Sequence, residues 1–316
     1  MSVFRSAVAK LLKKTLDKII DDPSDGFEKN LIFPKYLKVD SMDEAYIDDL
    51  EMAGPTLAKV KAEGQEMAFG DILQGFTTRY TPTTFAMRMT ISKELMRDNK
   101  YDQAIRAARR LKRIIYKTAE YDAANVLIRM FDTNYVGGDG VPLVSNAHTL
   151  PRGGTWSNAM ASPASPSKVA LTAAVAQIKK IPGHDGLLGS GISPKKIVFP
   201  TEQWGIWHEI LGQKNLTLNA SQTSSGSAAN TAQFAEFNTF KSAFGDVEGV
   251  EVLYWTNTTT QWGIITDAEN GMRFLWRQKP ESQSWVENSQ LNMSYSVDAR
   301  WTTGWSDARG FYGVQA

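Results

Sequence analysis

From Phe76 to Ile91 the chain alternates, with Phe85, Met87, Met89 and Ile91 on one face and Ala86, Arg88 and Thr90 on the other. That is the two-residue period of a half-buried strand. Beyond Ser92 the period changes. Tyr101, Ile105, Ala108, Leu111, Ile115, Ala119, Ala123, Val126 and Met130 recur at steps of three and four, with Arg106, Arg109, Arg110, Lys112, Arg113, Lys117 and Glu120 between them. The spacing predicts one amphipathic helix from about Ser92 to Asp132. At about 1.5 Å per residue, the stretch from Tyr101 to Asp132 would reach about 48 Å, against a radius of gyration of about 20 Å for a compact chain of this length. Such a helix is a strut that crosses the whole molecule.

The flanking segments are less periodic. Phe4, Val8, Leu11, Leu12, Leu16, Ile19 and Ile20 are spaced helically among basic residues, which fits an arm docking on a partner subunit better than a secretory signal. Asp22-Pro23-Ser24-Asp25-Gly26 reads as a stop and turn, Leu31-Ile32-Phe33-Pro34 as extended chain, and residues 27–63 as an arm lying over other surfaces. From Gly64 to Ser92, two extended runs flank Thr81-Pro82-Thr83 and read as a long hairpin-like loop. Legs of this length would project about 40 Å, and a two-stranded ribbon alone is marginally stable in water, so the loop should lean on a neighbour. The plainer alternative is a hairpin folded back on its own sheet.

After the helix, Val136-Gly137-Gly138-Asp139-Gly140 reads as a tight turn, Ser167 to Lys180 as a helix and Lys196 to Pro200 as a buried strand. A second helix begins near Thr201, with Trp204, Trp207, Ile210 and Leu211 along it. Residues 217–232 form a small, uncharged tract that reads as an exposed loop. The stretches 250–255, 262–266, 272–276 and 292–301 alternate like strands, and the end from Trp305 to Gly313 is turn-rich. The fold class is α+β.

Composition narrows the function. A 42% hydrophobic and 22% charged chain of 316 residues can bury a sizeable core, and no apolar run approaches the length of a membrane span. There is no cysteine, so no disulfide or thiolate metal site is available. A net charge of +1 argues against a dedicated nucleic-acid binder. The charge is uneven, however. Arg5, Lys10, Lys13, Lys14 and Lys18 stand against Asp17 at the start, while Asp40, Asp43, Glu44, Asp48, Asp49 and Glu51 follow, a pairing that suggests contacts outside the local fold.

No motif supplies catalysis. His148, His184 and His208 lack the paired spacing of a zinc helix, and His184-Asp185, a conceivable proton-transfer pair, sits in a glycine-rich surface turn. There is no nucleophile elbow or P-loop, and Asp132 with Asp139 lacks the alternating oxygen ligands of a calcium loop. Six of the nine tryptophans lie between Trp255 and Trp305, where burial in a sheet core or an interface is a commoner role than a sugar platform. No catalytic, cofactor or metal residue is assigned.

Three segments carry a family resemblance: Phe85-Ala86-Met87-Arg88-Met89-Thr90-Ile91-Ser92-Lys93-Glu94-Leu95-Met96-Arg97-Asp98-Asn99, then Gly140-Val141-Pro142-Leu143-Val144-Ser145-Asn146-Ala147-His148, then Asp307-Ala308-Arg309-Gly310-Phe311-Tyr312-Gly313. In order and spacing they resemble major capsid proteins of tailed phages, of the Mu-like major head subunit type within the Hong Kong 97-like fold. The resemblance implies an N-terminal arm (1–63), an extended loop (64–92) and a peripheral domain with the spine helix (93–164). It further implies an axial domain (165–270) and peripheral return strands (271–316). It implies pentamers and hexamers closing into an icosahedral shell around double-stranded DNA, with the subunit made in the host cytoplasm and housed in the virion. Phe76, Tyr80, Phe85 and Met87 become candidate contacts with an adjacent subunit. The implied partners are a portal, a scaffolding protein, in some shells a decoration protein, and DNA held nonspecifically through Lys and Arg, with no membrane. The competing readings are an encapsulin-like compartment around protein cargo and, from another class, a sugar-binding protein or hydrolase using the tryptophan-rich half.

Overall fold

The computed structural model describes residues 30–55, 57–67, 69–92, 101–188, 191–212, 215–216, 236–237, 247–256, 259–287 and 292–315. The basic start, residues 93–100 at the beginning of the expected helix, and the 217–232 tract lie outside them. The chain divides into two compact units, one of residues 1–50, 77–129 and 272–306, the other of residues 51–76, 130–271 and 307–316.

The first unit is a four-stranded sheet with a long helix packed on it. The strands are β1 (Lys38–Ser41), β4 (Thr83–Ile91), β12 (Met272–Val286) and β13 (Met293–Trp305), in the order β1-β12-β13-β4. β1 runs parallel to β12, and the other pairings are antiparallel. The helices are α1 (Phe33–Tyr36) and α2 (Tyr101–Ile128). The 28 residues of α2 span about 42 Å. The core is aromatic: Phe33 stacks on Phe274 at 4.4 Å, Trp276 meets Trp301 edge-on at 5.4 Å, and Trp301 donates its indole N–H to Asp122 on α2 at 2.8 Å. Glu120 of α2 accepts from the backbone amides of Ile32 and Phe33, satisfying the free N–H groups at the start of α1. Burial still pushes its carboxyl above the usual value.

Two expectations change here. Leu31 to Pro34 is not extended, because Pro34 occupies the first turn of α1, where its missing N–H costs nothing. Residues within 27–63 are also more than an overlying arm, since β1 is an integral strand of the sheet.

In the second unit the sheet order is β10-β7-β11-β14, from β7 (Pro194–Pro200), β10 (Glu248–Val252), β11 (Trp262–Thr266) and β14 (Phe311–Val314). Helices α3 (Lys168–Ile178) and α4 (Trp204–Gly212) complete it. Ser167 caps α3 by accepting from Ala170 N at 3.1 Å. Leu171, Ile178, Ile197, Trp207, Trp262, Ile264 and Tyr312 share one core cluster. Short pairs join β5 (His148–Thr149) to β6 (Thr155–Trp156) and β8 (Asn215–Leu216) to β9 (Glu236–Phe237). A last pair, β2 (Ile47–Ala53) with β3 (Leu73–Tyr80), forms a ribbon through which the division between the units passes.

The two strands flanking Thr81-Pro82-Thr83 therefore do not form a hairpin: β3 pairs with β2, and β4 with β13. Alternation identifies a strand but says nothing of its partner. Phe85 on β4 stacks on Trp301 of β13 at 4.0 Å, which fixes that choice.

Two of the resemblance segments, at Gly140–His148 and Asp307–Gly313, meet at Asn158. Its buried amide donates to Leu143 O at 2.7 Å, Ala308 O at 3.1 Å and Phe311 O at 3.0 Å. Its oxygen accepts from Ser145 N at 2.9 Å and lies 3.0 Å from His148 Nε2. Close by, Gly313 tolerates no side chain, since a Cβ there would stand 2.5 Å from Val144. Replacing Asn158 with Leu would strand several buried backbone groups at about 1–3 kcal/mol each. The Asn158→Leu variant should therefore lose about 3 kcal/mol or more in denaturant titration.

Candidate subunit interface

Exposed apolar side chains gather on the β2–β3 ribbon and its connecting residues. Of the twenty large hydrophobic residues exposed among the described residues, eight fall between Tyr46 and Ile72. Val60 is 100% and Phe69 94% exposed, and Leu57, Met67, Met52 and Ile72 are also mostly in solvent. Such a concentration makes this segment the candidate for a surface covered by a partner.

The ribbon is held at its root. Arg152 donates from Nη2 to Gly54 O at 2.8 Å and to Asp71 O at 2.6 Å, joining the ends of both legs. One step nearer the root, Glu51 Oε1 lies 2.6 Å from His184 Nδ1 and accepts from Arg309 at 3.1 Å. Asp307 completes the cluster: Oδ1 accepts from Arg309 at 3.1 Å, and Oδ2 lies 3.2 Å from His184 Nε2. Arg309 is buried and also bonds Pro182 O at 2.9 Å. Where β2 enters the first unit, Asp48 forms a two-bond pair with Arg79, and Asp49 accepts from Ser306 at 2.5 Å and pairs with Arg273 at 3.2 Å.

The acidic segment read as reaching outside the fold is thus largely neutralised within it. β3, paired with β2, brings Arg79 to it, while Arg273 and Arg309 arrive from β12 and from the turn at Ala308–Gly310, a convergence that sequence proximity does not reveal. His184 faces Glu51 and Asp307 and not its neighbour Asp185, whose carboxylate caps Leu187 N at 3.0 Å. Asp139 lies 2.5 Å from His148 Nδ1, so that carboxylate is a partner of a buried histidine.

The four contact candidates separate. Tyr80 is 3% exposed, and its hydroxyl, pushed up to about 12 by burial, donates to Ser306 at 2.7 Å. Phe85 is half-buried against Trp301. Both are engaged in their own chain, because cross-strand neighbours cover them. Phe76 is half-buried, and Met87, 44% exposed, keeps an open side chain. Sequence reading passed over Leu57, Val60, Met67 and Phe69. The available signal was a set of isolated apolar residues in a segment without period.

Of the tryptophans, Trp207, Trp255, Trp262 and Trp301 are fully buried, whereas Trp204 and Trp285 keep exposed rings on separate elements. Among the described residues no group of acids and histidines could hold a metal ion, and no helix is long and apolar enough to cross a membrane.

The His184 cluster has a pH signature. Hydrogen bonds to Asp307 and then Glu51 raise the histidine to about 9 from its ordinary 6.5. Burial would raise the Asp307 carboxyl, but the His184 bond and the Arg309 charge hold it below its usual value. A raised histidine stabilises the fold fully below pH 6.5, and that contribution disappears as pH climbs through about 9. Thermal melts from pH 6 to pH 10 should show the wild-type midpoint falling over this window, and His184→Gln should remove that fall.

The arrangement has known counterparts. A family model described as phage capsid protein matches residues 75–314. No curated protein matches the sequence. In structure the chain is similar to the virus-like particle from Pyrococcus furiosus, at TM-score 0.53 and 9% identity over 96% of this chain and 98% of that one. It is similar to the capsid of an empty GTA particle, at 0.50 and 15% over 90% of each chain. It is also similar to Microbacterium phage Oxtober96, at 0.51 and 8% over 90% of each. These likenesses show the Hong Kong 97-like fold, and the family match favours a phage shell over a protein-cargo compartment. The chain belongs to the phage capsid protein family.

Proposed function

We propose that the β2–β3 ribbon is the arm by which this major capsid subunit grips a neighbouring copy in its icosahedral shell. The observation that carries this reading is the exposure of Leu57, Val60, Met67 and Phe69 on a ribbon whose neck is clamped by Arg152. Taking one such side chain out of water contributes about 1.5–3 kcal/mol, so the four together supply about 6–12 kcal/mol before ordering costs. Clamping the neck reduces those costs. Met87 is a further contact on β4, and Phe76 a lesser one.

The shell is built from pentamers and hexamers around double-stranded DNA, with a portal and a scaffolding protein as assembly partners and, in some shells, a decoration protein outside. Subunits are made in the host cytoplasm. We assign the first unit to the peripheral domain, with α2 as its spine, and the second to the axial domain. The extended loop is then the ribbon of residues 47–80, while β4 belongs to the peripheral sheet.

Replacing residues 55–70 with a two-residue turn tests the arm. The expected product is a folded subunit with unchanged circular dichroism that forms no closed shells by electron microscopy. Phe69→Asp with Val60→Asp should weaken closure in the same direction. Shells of normal size and yield from the shortened chain would remove the ribbon from the assembly contact.

A further inference from the structure

We propose that the solvent face of α2 is a phosphate-binding stripe for the duplex enclosed by the shell, an inference that rests on the capsid reading above. Arg106, Arg109, Arg110, Arg113 and Lys117 are all exposed. At 3.6 residues per turn they fall within an arc of about 100° and along about 17 Å of helix. Asp102 stands one turn before Arg106 at the stripe's start; from Gln103 to Ala119 there is no acid, and the next one, Glu120, is buried and bonded to the amides of Ile32 and Phe33. The opposite side carries Leu111, Ile115 and Ala119, which are buried.

An amphipathic helix needs only polar residues on its outer face. Here the face holds like charges three and four residues apart, an arrangement that destabilises an isolated helix. A polyanion would turn that repulsion into attraction. Another copy of the chain is a poor candidate, because Asp48, Asp49 and Glu51, in its densest acidic stretch, already have basic partners of their own. Duplex DNA carries one charge per about 1.7 Å of axis, so 17 Å presents about ten phosphates to the five cations. Such contacts read no bases, which suits a shell that must enclose any sequence.

The test uses Arg106→Gln, Arg109→Gln, Arg110→Gln and Lys117→Gln together in the full chain. Two readouts are needed: shell formation by electron microscopy, and anisotropy of a labelled 25-base-pair duplex from 50 to 300 mM KCl. Wild-type subunits should bind with a slope of log affinity against log salt of about −4.5, and the variant should lose about 3.6 of that slope while still forming shells. Equal slopes in the two proteins would overturn the stripe and leave the capsid reading standing. Folded variant subunits that cannot form shells would overturn it too, by assigning the charges to contacts between copies. Tighter binding of polyglutamate than of duplex at equal charge would overturn it in favour of an acidic protein. Failure of the wild-type chain to form shells under any condition would instead count against the capsid reading itself.

Discussion

A guanidinium cannot shed its charge, so Arg309, with 4% of its side chain exposed, stays folded only while acceptors surround it. The second unit is arranged around that requirement. Asp307 comes from the same turn, Pro182 O from the loop after α3, and Glu51 from β2, while Trp156 presents its ring 4.9 Å from the guanidinium carbon. Three distant stretches of chain are thereby fixed relative to one another. Removing Glu51 or Asp307 leaves the buried cation with a single carboxylate partner, so the arrangement is held as a set.

Asn158 plays the neutral counterpart of this role. Its amide joins the segments around Leu143 and Phe311 through backbone carbonyls, and its oxygen faces His148. Two of the three resemblance segments thus meet where one side-chain amide fastens backbone to backbone. A shell subunit needs this kind of rigidity. On the interface proposed above, its binding energy is spread over exposed apolar residues, and any freedom left in their support would be lost again on assembly.

Much of the fold was legible because it rests on period. The long helix, α3, the strand at Lys196–Pro200 and the strands near 250, 262, 272 and 292 follow from spacing alone. Partner choice was not legible: β3 and β4 read as a hairpin because they adjoin in sequence, yet cross-strand packing such as Phe85 on Trp301 sends β4 to β13. The short helix at Phe33 was read as extended chain, since four residues are too few to show a helical period. The proposed contact surface was the least visible part. Its exposed apolar residues have no period, whereas Tyr80, which lies in a strand, is covered by its own fold.

Arg152 grips Gly54 and Asp71 by their carbonyl oxygens and not by their side chains. A grip of this kind is blind to residue identity, so its geometry is insulated from whatever sequence lies between the two points. The tip can be recoded, lengthened or grafted with a foreign epitope while its take-off direction is preserved. One scaffold could thus evolve, or be engineered, to recognise a different neighbour without relearning how to fold.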